Sequence, residues 1–185
     1  ANTVVVFTSD HGEMLGDHQW IRKRNAYEGS ARVPLLVNLP DSFDIAQGQV
    51  RDEVTELMDI MPTCLDAADV DIPDSVDGES LLALLREAQP WRDHIHGECS
   101  EVPSLGSGMQ YLTDGKRKYI WYPGTGAEHY FDLELDPNEM DDLSADPDRS
   151  AEIAHFRGIL IRELTGRPEG FTDGETLKPV GGPSK

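Results

Sequence analysis

Asp10 and His11 place a carboxylate beside an imidazole, and Gly12 behind them lets the chain turn sharply. Such a pair can offer one oxygen and one nitrogen to a single divalent cation. The plainer reading is an Asx turn with an exposed histidine. Lys23 stands inside Arg22-Lys23-Arg24, three bases together in a chain of net charge −19. A fixed ammonium there suits a small tetrahedral anion; a solvated basic cluster is the alternative. His94-x-His96-x-x-Cys99 is a third set of donors. On a strand, 94 and 96 share a face and 99 points the other way, so a shared metal would need a bulge. His96 lining a pocket is the better reading. There is no Gly-x-x-x-x-Gly-Lys loop, no Gly-x-Ser-x-Gly elbow and no paired-cysteine zinc pattern. Ser9 adjoins Asp10 and His11, but sequence neighbours on a strand face opposite ways, so they form no triad.

These residues need elements to hold them. Thr3 to Thr8 is a β-branched run apolar on both faces, which predicts a buried parallel strand. Asp10 and His11 would then sit at its carboxyl end, where open α/β sheets bind ligands. Val33 to Asn38 is a second short strand, and the polar, glycine-punctuated segment 12–30 lies between the two. Apolar residues at helical spacing predict a helix over 59–69, with Pro62 in its first turn. A short helix follows at 79–85. Strands are predicted at 93–99, 109–113, 117–122 and 129–133, separated by turn residues that include Gly106-Ser107-Gly108 and Asp114-Gly115. They read as a small antiparallel sheet. A helix over 148–165 carries Ile153, Phe156, Ile159, Leu160 and Leu164 on one face, and from Arg167 the Gly- and Pro-rich chain is expected to fray.

Composition bounds the reading. The 185 residues suit one domain or two small ones, and 38% hydrophobic content supplies a core. Thirty-five acids against 16 bases argue against nucleic acid or anionic membrane as the main partner. No apolar run is long enough to span a membrane. The acidic bias fits either a salt-loving source or an ordinary acidic surface. Cys64 and Cys99 read as free, buried thiols, which slightly favours the cytoplasm and leaves the compartment open. The chain enters a strand-like run within three residues and shows no signal peptide, which points to a longer parent chain.

The order of motifs resembles the carboxyl-terminal half of sulfatases of the alkaline phosphatase superfamily, nearest the arylsulfatase, choline-sulfatase and iduronate-sulfatase-like members. The resemblance begins at Thr8-Ser9-Asp10-His11-Gly12-Glu13-Met14-Leu15-Gly16-Asp17-His18 and continues through Trp20-Ile21-Arg22-Lys23 and Tyr27 to Leu35. It recurs at Asp59-Ile60-Met61-Pro62-Thr63, Asp77-Gly78-Glu79-Ser80-Leu81, Lys118 to Tyr122 and Phe131 to Glu139, covering roughly 3–165. It implies that Asp10 and His11 bind a divalent cation, usually calcium, with manganese or zinc admitted by the imidazole. It also implies that Lys23 contacts sulfate oxygens, and His96 is the candidate for a further substrate contact. The family's Cys/Ser-x-Pro-x-Arg motif, whose first residue becomes the formylglycine nucleophile, does not occur here.

The expected fold is therefore α/β. It would be the carboxyl-terminal half of an alkaline-phosphatase-like sandwich, with a small antiparallel sheet plus terminal helix. The expected division is 1–90 for the α/β metal-binding part, 91–166 for the small-sheet subdomain and 167–185 for a flexible tail. The expected function is part of a sulfatase acting on a small-molecule sulfate ester, completed by the amino-terminal half of the same enzyme. Rivals are a phosphonate monoester or phosphodiester hydrolase on the same scaffold, and a non-catalytic remnant acting as partner subunit or binding module. Asp10 and His11 are expected to face a common cleft with Lys23 within reach, and the chain alone is expected to be inactive.

Overall fold

The structure, a computed structural model, describes residues 2–99 and 108–180. The described residues form two compact units, one within 1–10 and 33–95, the other within 11–32 and 96–185. The expected turn at 106–107 lies outside the described residues. No helix among those described is long and apolar enough to cross a membrane.

In the first unit, β1 (Val5–Thr8) pairs antiparallel with β2 (Leu35–Asn38), Val6 opposite Val37 and Phe7 opposite Leu36. The antiparallel pairing corrects the expected parallel strand. Val5, Phe7 and Leu36 are 51%, 62% and 59% exposed. A run apolar on both faces is compatible with either pairing, so its pattern alone does not choose. Among the described residues β1 has one strand neighbour, and Val4 and Val6 line a cavity. Its volume is about 420 Å³, and Pro40, Phe43, Cys64, Ala67 and Ala68 help enclose it. Cys64, one of the lining residues, is exposed, where a buried thiol was expected; Cys99 is half-buried, and the two form no disulfide with each other.

Helix α2 (Ile60–Ala67) and helix α3 (Leu81–Leu85) complete this unit. The first begins through a 3-10 turn at Leu57–Asp59, so Pro62 falls in its first turn as expected. Ser80 caps α3 by accepting from Leu82 N at 3.2 Å. The two helices are stitched by Thr63, whose hydroxyl accepts from Leu81 N at 2.8 Å and donates to Asp59 O at 2.5 Å. A side chain at Gly78 would lie 2.2 Å from Met58 O, so only glycine permits this approach.

The second unit is layered. Strands β3 (Ile95–Cys99), β4 (Met109–Thr113), β5 (Arg117–Trp121) and β6 (Glu128–Asp132) form one sheet in that order. Asp114 closes the β4–β5 hairpin by accepting from Lys116 N and Arg117 N, and Gly115 takes φ 84°. One sheet face buries Leu112, Tyr119, Trp121 and Tyr130 against Ile153, Phe156, Leu160 and Leu164 of α4 (Ser150–Leu164). Each such side chain contributes roughly 1.5–3 kcal/mol of apolar burial. The opposite face packs Met109, Ile120 and Phe131 on Ala26 and Tyr27, beside the short helix α1 (Glu28–Ala31). The chain after α4 departs from the expected fraying: Phe171 and Leu177 pack on the α4 core, and Val180 N donates to Pro123 O at 3.0 Å.

Candidate functional site

Lys23 and His11 meet. His11 Nδ1 lies 2.7 Å from the Gly12 carbonyl, so this nitrogen donates, and Nε2 keeps its lone pair. The Lys23 ammonium donates to that Nε2. Lys23 is exposed and His11 half-buried.

The loop that carries Lys23 is backbone-strained. Leu15, His18, Gln19, Arg22 and Arg24, none of them glycine, take φ of 51°, 51°, 61°, 72° and 88°. Each left-handed residue costs roughly 1 kcal/mol or more. Such concentrations persist only where the surroundings hold them, and they cluster at functional sites. Met14 N donates to Arg22 O at 2.9 Å and Gly16 N to Trp20 O at 2.8 Å, closing the loop on itself. His18 stacks flat on Tyr27 with ring centroids 3.9 Å apart, and its Nε2 donates to Asn138 O at 3.0 Å.

The base of the loop is tied to the neighbourhood of His11. Gly12 N donates to Ser30 O at 2.8 Å. A side chain at Gly12 would lie 2.1 Å from Gly29 O. Sequence reasoning gave Gly12 only a turn; the close approach is a second reason for glycine.

Asp10 is exposed, two residues beyond β1, and accepts from the Ser9 hydroxyl at 3.5 Å. It ends the first segment of the first unit, and His11 begins the first segment of the second. A carboxylate and an imidazole suit part of a calcium, manganese or zinc set. They are too few for a whole one, and no group of three or more His, Cys, Asp or Glu that could hold a metal occurs among the described residues.

His96 lies on β3, half-buried, with Nε2 donating to Gln110 Oε1 at 2.8 Å on β4. The sheet engages it, rather than Lys23. Next to it, a side chain at Gly97 would lie 2.2 Å from the Tyr111 ring, so glycine keeps that ring over the strand. His94 is bonded to Asp93, Nδ1 to Oδ1 at 2.5 Å.

Sequence reasoning missed Lys118, a lysine buried in β5 that meets Glu28 and Glu139. The signal was a lysine amid the apolar run Tyr119-Ile120-Trp121, on the face shared with Ile120.

Known proteins resemble this chain in sequence and fold. Residues 16–164 match the family model described as N-sulphoglucosamine sulphohydrolase, C-terminal. An arylsulfatase of Clostridium perfringens is 49% identical over 179 residues, covering 95% of this chain and 36% of that protein. The structure of BT4656 in complex with its substrate D-glucosamine-2-N,6-O-disulfate aligns with TM-score 0.73 and 26% identity, over 88% of this chain and 34% of that one. The phosphonate monoester hydrolase of Agrobacterium radiobacter aligns with TM-score 0.71 and 28% identity, over 86% and 34%. The chain thus spans about a third of the length of these relatives. From the matching model over 16–164 and the order of motifs around Lys23, the chain belongs to the sulfatase family, as its carboxyl-terminal part.

Proposed function

We propose that this chain is the carboxyl-terminal part of a sulfuric ester hydrolase that cleaves a sulfate monoester. The observation that carries the reading is the Lys23 ammonium held on His11 Nε2 by a strained loop. It is supported by the sulfatase relatives and by a structural neighbour whose substrate is a sulfated sugar.

In this reading Lys23 binds the sulfate oxygens and neutralises charge on the transferring group. A positioned ammonium does this because the anion's charge is greatest at those oxygens. Asp10 and His11 would hold the divalent cation, calcium favoured over manganese or zinc, once the Lys23 ammonium leaves the His11 Nε2 lone pair for the sulfate oxygens. When bound, it supplies polarisation of the sulfate and stabilisation of an oxyanion. His11 keeps Nε2 unprotonated by donating Nδ1–H to Gly12. His96, fixed by Gln110, is a candidate substrate contact. The nucleophile, a formylglycine, lies in the amino-terminal part of the enzyme, outside this chain. That part also covers the exposed Val5, Phe7 and Leu36, and without it the chain is inactive. For the complete enzyme we keep the division into 1–90, 91–166 and 167–185.

A second reading is a phosphonate monoester or phosphodiester hydrolase, favoured by the structural likeness to the Agrobacterium radiobacter enzyme. Tetrahedral anions of both kinds suit the same ammonium. The experiment is to assay the complete enzyme on paired sulfate and phosphonate monoesters with one leaving group. A higher kcat/KM on the sulfate supports the first reading; the reverse order supports the second.

A further inference from the structure

Three segments distant in sequence meet at one side chain. Lys118 lies on the face of the sheet opposite α4, and its side chain is 1% exposed. Its Nζ lies 2.7 Å from each of three oxygens: Ala26 O, Glu28 Oε1 and Glu139 Oε1. An ammonium has three N–H donors and no acceptor, so this set satisfies it completely. Glu139, also 1% exposed, uses its second oxygen to accept from Glu28 N at 2.6 Å. One carboxylate therefore binds both the lysine and the backbone of the segment that the lysine holds.

Burying these charges is a poor way to gain stability. Apolar side chains of similar volume serve as well or better, because desolvating ions costs about as much as pairing them returns. Directional bonds do what apolar contacts cannot: they fix one register of an irregular segment. The segment in question is 26–28. Three residues before Ala26 stands Lys23. Directly after Glu28, Gly29 approaches Gly12 closely and Ser30 O accepts from Gly12 N; Gly12 follows His11. The grip falls between the stretch that carries Lys23 and the stretch that ties down His11.

We propose that Lys118, with Glu139 and Glu28, positions the site loop and so sets where Lys23 and His11 stand. Lys118 and Glu139 are positioning residues and touch no substrate. The proposal rests on the roles proposed above for Lys23 and His11.

The test uses the complete enzyme with Lys118→Met and the milder Glu139→Gln, which keeps shape and one acceptor. Two quantities are read: amide hydrogen exchange by segment, and kcat and KM on a sulfate ester. Exchange in 12–32 should rise tenfold or more in Glu139→Gln, while 109–132 and α4 stay as in the parent. The kcat should fall at least tenfold, with a smaller change in KM. Lys118→Arg should not rescue, because a planar fork cannot meet three acceptors arranged for an ammonium. Unchanged exchange in 12–32, or a rise spread equally over β4–β6 and α4, overturns the positioning role. If the parent enzyme hydrolyses no sulfate ester, the proposed function fails, and exchange still decides the positioning role.

Discussion

Arg92 grips Asp59 with both ends of its guanidinium, Nη1 to Oδ2 at 2.9 Å and Nη2 to Oδ1 at 2.7 Å. Asp59 is wholly buried. Its oxygens also accept from Glu56 N and Glu79 N, both at 2.9 Å. The carboxylate thus ties the start of α2 to the segment entering α3, and Arg92 supplies its countercharge. Arg92→Met would leave a buried carboxylate unpaired and should cost about 3–5 kcal/mol. Arg92→Lys should recover only part, since an ammonium cannot reproduce the fork. Urea unfolding of the complete enzyme measures both; a loss under about 1 kcal/mol for Arg92→Met would contradict this account.

Gly12 tests the tie below the site. Gly12→Ala would drive a methyl into the Gly29 carbonyl, for a cost of about 1–3 kcal/mol. Because the displaced residue adjoins His11, cation affinity should fall as well. Calcium titration by calorimetry reads that directly. Parent-like affinity would mean that Gly12 serves the fold alone.

Glu128 gives a pH prediction. Burial raises its carboxyl, but the Arg157 guanidinium and the Tyr119 hydroxyl outweigh burial and hold it below the ordinary glutamate range. The contacts are 2.5 Å and 2.7 Å from Arg157, and 2.9 Å from Tyr119. A depressed folded pKa adds stability that is present above the unfolded value and lost as pH falls through the folded value. Glu128→Gln should therefore lower Tm near neutrality, with the gap closing below about pH 4. Thermal melts from pH 3 to 7 check this. A gap that is constant, or widens on acidification, would contradict the assignment.

Much of this was legible in the sequence, and the reasons differ by element. Helix α4 was readable because Ile153, Phe156, Leu160 and Leu164 repeat at helical spacing and pack as that spacing requires. The β4–β5 hairpin was readable because Asp114-Gly115 fixes its own turn locally. The pairing of β1 was not, because Val4 to Phe7 is apolar on both sides and its partner is set by tertiary contacts. Lys23 stood out as a base in an acidic chain, yet the left-handed backbone around it lies on leucine, histidine, glutamine and arginine, which do not announce it. The Lys118–Glu28 contact joins residues 90 apart, and no spacing rule reaches that far.

The exposed strand face gives a prediction for the chain alone. Val5, Phe7 and Leu36 together form an apolar face that water meets. The isolated 185-residue chain should bind a hydrophobic dye, and Phe7→Lys should reduce that binding. It should show no sulfate-ester turnover above a metal-only control. Turnover by the isolated chain that Lys23→Ala abolishes would overturn the claim that the nucleophile lies elsewhere.

The central claim is that the Lys23 ammonium works on the transferring group. The most direct measurement is kcat/KM of Lys23→Ala in the complete enzyme, on a sulfate monoester, beside its melting temperature. Removing one positioned charge-stabilising group typically costs roughly 100- to 1,000-fold. A loss of that size with Tm changed by no more than about 2 °C is predicted, because Lys23 is exposed and its removal takes no core contact away. Turnover within about twofold of the parent would contradict it.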